Sequence, residues 1–202
     1  MAEAMAVAAG FGVASAEIRG NRYTAEADIR SALALDGSQS QMTLDAPGIK
    51  SRIEALPWVR TAVVRRVLPY AIAIDITERK AAAVWRDTDR DVLIDDEGRT
   101  LGAVARGADT GLRVLVGAGA GPAAATILPL MAEYRRIGQR TVEVRRIAGR
   151  RWSLMLDGGT LVHLPADGPA AAMAWLDQEA AIGLLDRGLA VIDLRVHGQL
   201  VV

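Results

Sequence analysis

The chain has 202 residues, enough for one large domain or for two small ones of about 70 and 120 residues, each able to bury a core. Lys+Arg and Asp+Glu both number 24, so no net field draws nucleic acid or an anionic membrane, and charge alone names no partner. Cysteine is absent and the only histidines are His163 and His197, which excludes disulfides, thiolate nucleophiles and His-rich metal sites.

The opening residues, MAEAMAVAAGFGVASA, are small and apolar with Glu3 as the one charge. They lack a basic leader and are too short for a bilayer span of about 20 helical residues, so residues 1–10 read as a leader or membrane-proximal segment. No other stretch approaches a span, and the chain is expected to be soluble.

From residue 11 to 78 the pattern is β-α-α-β-β. Val13 and Ile18 lead to a turn at Gly20-Asn21, giving a first strand. Thr24 is placed to cap a helix running to about residue 34, with Glu26 and Asp28 in its first turn and Ile29 and Leu33 on one face. A second helix starts at Asp45, with Pro47 in its first turn and Ile49, Ile53 and Leu56 as its buried stripe, and Pro57 ends it. Two β-rich runs follow, joined at Leu68-Pro69-Tyr70, the second alternating Ile72, Ile74 and Ile76 on one face. Arg60, Arg65 and Arg66 read as a solvated strand face.

From 79 to 202 the sequence predicts a mostly antiparallel β domain with two helices. Strands are expected at 82–86 and 92–95, with a turn at Asp96-Glu97-Gly98 and a further strand after it. Asp87, Asp89 and Asp91 imitate the start of a calcium loop, but the sixth and twelfth positions are Val92 and Gly98 where the loop needs Gly and a bidentate acid. The apolar run 112–116 feeds Gly117, Gly119 and Gly121, and a helix is expected over 123–136. This is the order of a dinucleotide turn, yet Pro122 stands where the third glycine belongs and removes an N–H. A strand at 142–147, a hairpin around Gly158-Gly159, a helix over 168–185 and a last strand at 190–196 complete the pattern. The hairpin argues against a doubly wound nucleotide fold, and the glycines then read as a flexible turn feeding a helix.

No nucleophile stands beside a base in the sequence: Ser153, His163 and His197 read as isolated structural residues, and no catalytic, metal or cofactor site is expected. RRIAGRR, at 145–151, concentrates Arg145, Arg146, Arg150 and Arg151, an anion patch by composition, but the scarcity of aromatics argues against single-stranded nucleic acid. The terminal run VIDLRV followed by GQLVV either pairs internally or offers a sheet edge to a partner strand.

Several runs together resemble one family. "IRGN", "IEALPWVRTAVVRRVLP" and "IDITERKAAAVW" are similar to the POTRA module and following junction of the FtsQ/DivIB division proteins. "VLIDDEGRTL", "LRVLVGAGA", "RRIAGRRWSLMLDGGTLVHLP" and "AVIDLRVHGQLVV" continue the likeness over residues 11–202. Lys80 and Ala81 stand where that family commonly has a proline after the "ER" pair. The resemblance implies a POTRA domain at 11–78 and an FtsQ-type β domain at 79–202. It implies a non-catalytic divisome scaffold on the periplasmic side of the inner membrane at the septum, with its membrane contact only through a helix absent from this chain. The implied partners are FtsB- and FtsL-type proteins at the C-terminal part of the β domain, with other divisome proteins at the POTRA module. Carried across by position, the partner-binding residues are Leu194, Arg195, Val196, Gly198, Leu200 and Val201, with Arg150 and Arg151 nearby. Val196 replaces a position that is often aromatic in the family, and related proteins continue beyond the equivalent of Val202. The alternative within the same class is a POTRA-containing module of another periplasmic assembly, such as a polypeptide transporter.

Overall fold

A computed structural model describes Val13, residues 15–35, Ser40 and residues 42–195. The chain divides after Lys80 into two compact units, each with its own hydrophobic core.

The first unit runs β1 (Ser15–Arg19), α1 (Glu26–Leu33), α2 (Ala46–Glu54), β2 (Val59–Val67) and β3 (Ala71–Glu78). Its sheet has the order β1-β3-β2, with β1 parallel and β2 antiparallel to the central β3. The alternation of β3 puts Ile72, Ile74 and Ile76 on one face, where they pack with Ile29 and Leu33 of α1 and Ile49 and Ile53 of α2. Asp45 caps α2 as its sequence predicts, its carboxylate accepting from the Gly48 N–H at 3.0 Å. Thr24 does not cap α1; the N-cap is Ala25, and Thr24 instead gives its hydroxyl to Glu78 at 2.7 Å. The Glu78 carboxylate also accepts from the backbone N–H groups of Tyr23 and Thr24. Burial pushes this carboxyl up, but those hydrogen bonds outweigh it and hold the group below its ordinary range. The glutamate of the "ER" pair therefore ties the loop ahead of α1 to the end of β3.

The second unit runs β4 (Ala83–Arg86), β5 (Asp91–Ile94), β6 (Thr100–Val104), β7 (Val114–Val116), α3 (Leu128–Glu133), α4 (Arg135–Arg140), β8 (Thr141–Ile147), β9 (Arg151–Leu156), β10 (Leu161–His163), α5 (Pro169–Ala181) and β11 (Val191–Asp193). The strands form one sheet in the order β11-β10-β9-β8-β7-β4-β5-β6. It is more mixed than the sequence suggests. The β4–β5, β5–β6, β8–β9 and β9–β10 pairs are antiparallel, whereas β4–β7, β7–β8 and β10–β11 are parallel. The helix expected over 123–136 is three pieces, a 3₁₀ turn at Ala124–Thr126 followed by α3 and α4. Pro129 starts α3 because it lacks the N–H that would continue the earlier turn, and a non-helical Tyr134 separates α3 from α4. Leu115, Val144, Leu154, Val162 and Ile192 bury one face of the sheet against Ile127, Met131, Ile137, Met173 and Leu176. Register then puts Arg145, Ser153, His163 and Asp193 in one row across β8 to β11 on the opposite face.

Candidate partner-binding edge

The glycine turn at 117–121 is bonded to its neighbours through its carbonyls. Its carbonyls point at donors: Gly117 O accepts from Trp85 Nε1 at 3.2 Å, and Gly119 O accepts from Arg146 Nη1. Nearby N–H groups are spent within the turn, Ala120 on Gly117 O, Ala123 on Gly119 O and Ala124 on Gly121 O. Gly121 is required because a Cβ there would overlap the Trp85 indole, and Gly117 holds φ at +111°. The turn is pinned to its neighbours, which corrects the expectation of a flexible one.

Asp91 belongs to an ion pair. Buried in β5, it takes Arg86 Nη2 at 3.0 Å and the Gly107 N–H at 3.1 Å, and the Arg86 hydrogen bond above all holds its carboxyl below the ordinary range. No group of three or more metal-ligating side chains occurs among the described residues. Ser153 and His163 are not isolated, since Ser153 Oγ lies 2.9 Å from His163 Nδ1 on adjacent strands. Asp193 stands beside His163 in the next register position, but its carboxylate is taken by Arg195 and so does not orient the imidazole. With Ser153 buried, the pair reads as cross-strand packing, and His197 lies outside the described residues.

The arginine run at 145–151 separates into two functions. Arg145 pairs with Glu143 on its own strand. Arg146 turns inward, donating to Gly119 O and to Gly149 O while its guanidinium stacks 5.7 Å from the ring centre of the buried Trp152. Arg150 and Arg151 point elsewhere. Together with Arg195 they line a cleft of about 360 Å³, closed by Pro165, Ala166 and Asp167. A smaller cleft of about 120 Å³ adjoins it and shares Arg151 and Arg195, with Ile147, Ser153, His163 and Leu164 on its walls. Neither Arg150 nor Arg151 has a side-chain hydrogen bond or ion pair among the described residues.

Beside this cleft the sheet ends among the described residues. β11 is the edge strand, parallel to β10 with Val191 opposite Leu161 and Asp193 opposite His163. Leu161 donates to Ala190 O and Leu194 to His163 O, so the alternation of the strand turns the main-chain groups of Val191 and Asp193 outward. Leu194 is buried in the core, where it anchors the end of the edge. Arg195 is held by Asp193 through Nε at 2.8 Å and through its own backbone N–H at 3.0 Å. The guanidinium hydrogen bonds lower the Asp193 carboxyl from 3.8 to about 2 against the opposing effect of burial. The structure thus brings together Arg150, Arg151 and Arg195 of the expected partner-binding set. Val196, Gly198, Leu200 and Val201 lie outside the described residues. Sequence reasoning missed Asp193, Asp167 and His163 as neighbours of this set; only the "DLR" spacing of Asp193 and Arg195 carried a signal.

A β-α-α-β-β unit with a parallel β1–β3 pair, followed by a large mixed sheet, defines a POTRA domain joined to a β domain. Residues 11–79 match the POTRA domain of FtsQ type, and residues 83–195 match the C-terminal region of the cell division proteins FtsQ/DivIB. The chain belongs to the FtsQ/DivIB family of cell division proteins. It is 38% identical over 188 residues to cell division protein FtsQ of Caulobacter vibrioides, covering 93% of this chain and 62% of that protein. With FtsQ of Rhizobium meliloti the identity is 34% over 199 residues, 98% of this chain and 64% of the other. The chain spans somewhat over three fifths of the length of these relatives. Among solved structures, the major extracytoplasmic domain of the trans isomer of DivIB from Geobacillus stearothermophilus is 23% identical. It covers 55% of this chain and 97% of its own with a TM-score of 0.40.

Proposed function

We propose that this chain is a non-catalytic scaffold of the divisome, acting on the periplasmic side of the inner membrane at the septum. A segment of an FtsB- or FtsL-type partner adds as a strand to the outer side of β11, and an acidic side chain of that segment enters the cleft lined by Arg150, Arg151 and Arg195. The observation that carries this reading is the position of β11: it is the sheet edge, its outer side is unpaired among the described residues, and the cleft opens beside it. Backbone pairing supplies affinity that depends little on partner side chains, whereas the arginine contact fixes register.

Titration with the soluble periplasmic segments of the two partner types tests this reading. Val191→Pro removes an outward N–H while leaving the main-chain bonds of Ala190 and Leu194 to β10 in place. Binding that is lost in this variant, with circular dichroism unchanged, supports strand addition. Equal affinity of the variant and the unaltered chain refutes it.

A further inference from the structure

Four exposed apolar side chains of the first unit gather at one end of its sheet. Where β2 turns into β3, Val67, Leu68 and Tyr70 are 45%, 71% and 54% exposed. Met42, in the loop leading to α2, is 74% exposed, and Arg66 joins the two loops by donating from Nη2 to Leu44 O at 2.8 Å. The chain enters the sheet at the same end. Ser15 pairs with Ala71, and its N–H reaches the Tyr70 carbonyl at 3.4 Å. Ahead of Ser15 stands MAEAMAVAAGFGVA, apolar or small at every position except Glu3.

We propose that this tip is a membrane-contact element, with Leu68, Tyr70, Val67 and Met42 seated in the headgroup region of a phospholipid bilayer. The proposal rests on the reading that the protein is held at a membrane on its N-terminal side. Three observations favour lipid over a protein partner. The apolar groups sit on a protruding turn and not in a concave pocket, the usual form of a ligand site. Leu and Met beside a Tyr, whose ring is apolar and whose hydroxyl is wet, suit the interfacial zone of a bilayer. Arg66 leads into the turn, and its charge meets anionic headgroups. So few apolar side chains give a weak and reversible contact, which orients a tethered domain without anchoring a free one.

The absence of cysteine supplies the test, since any introduced cysteine carries a label uniquely. Chains with Leu68→Cys, Met42→Cys or Thr77→Cys are labelled with a polarity-sensitive fluorophore, Thr77 being exposed at the far end of β3. A polyhistidine tag ahead of Met1 holds each on vesicles of phosphatidylethanolamine and phosphatidylglycerol doped with a nickel-chelating lipid. The labels at 42 and 68 are expected to shift to the blue and to be quenched by headgroup spin-labelled lipid, while the label at 77 keeps its aqueous emission. Adding Leu68→Ser and Tyr70→Ser to the Met42→Cys chain is expected to abolish the shift there. Labels at 42 and 68 that behave like the one at 77, or a shift at 42 that survives the two serines, would overturn the proposal and leave the tip to a protein partner. The partner titration contains no lipid, so its failure and this one are separable.

Discussion

The glycine turn at 117–121 and the arginine turn at 147–151 are joined by one side chain, Arg146, which donates to a carbonyl in each. Both have the composition of an anion site. In the first, the carbonyls of Gly117, Gly119 and Gly121 all accept from neighbours, whereas the second leaves Arg150 and Arg151 facing a cleft with no partner among the described residues. The capacity to bind an anion lies in the donors that folding leaves over, not in the glycines or arginines as such.

The sharpest way to break this comparison is to disturb the glycine turn. Gly121→Ala drives a methyl group into the Trp85 ring and is expected to cost the second unit about 3 kcal/mol, read as a fall in its denaturant midpoint. At Gly149 nothing lies near a built Cβ, so Gly149→Ala should cost only about 1 kcal/mol, from its positive φ alone. Arg146→Ala removes two hydrogen bonds and uncovers Trp152, for an expected loss of about 2 kcal/mol; Arg150→Ala and Arg151→Ala should stay within about 0.5 kcal/mol of the unaltered chain. Arg195→Glu should weaken partner binding about tenfold in the same titration while leaving the fold intact, which separates a contact arginine from a structural one. The smallest effect concerns Asp193. Its carboxyl is depressed from 3.8 to about 2, so the stabilisation from its pairing is complete above about pH 4 and is lost as pH falls towards 2. Asp193→Asn should therefore reduce stability near neutrality by less than about 1 kcal/mol, Arg195 being half exposed, and the difference from the unaltered chain should disappear only below about pH 2.

Local chemistry made much of the first unit legible in advance. Asp45 and Pro47 announce α2, and the alternation of Ile72, Ile74 and Ile76 announces β3 and its buried face, because caps and period-two burial act within a few residues. Thr24 misleads for the same reason: as a helix-start residue it looks like a cap, and only the return of the chain at Glu78 gives its hydroxyl a better partner. In the second unit the parallel β10–β11 pair is separated by α5, and nothing local specifies which strand β11 will join. The division of the arginine run was hidden too, since the inward turn of Arg146 depends on Gly119 and Trp152 arriving beside it. Of the candidate edge, the "DLR" run was visible, but the cleft it shares with Arg150 and Arg151 exists only once β9, β10 and β11 lie side by side.

The parallel pairing of β1 with β3 also sets an order of events during synthesis. Residues 15–19 leave the ribosome before any of their partners at 71–75 exist, whereas β2 and β3 are consecutive and close on each other as a hairpin. Within this unit the strand made first cannot pair until the strand made last has been synthesised. Until β1 arrives, the free side of β3 is a vacant seat of matching register, and a nascent chain delayed in returning its N-terminal strand exposes that seat to any other extended segment nearby.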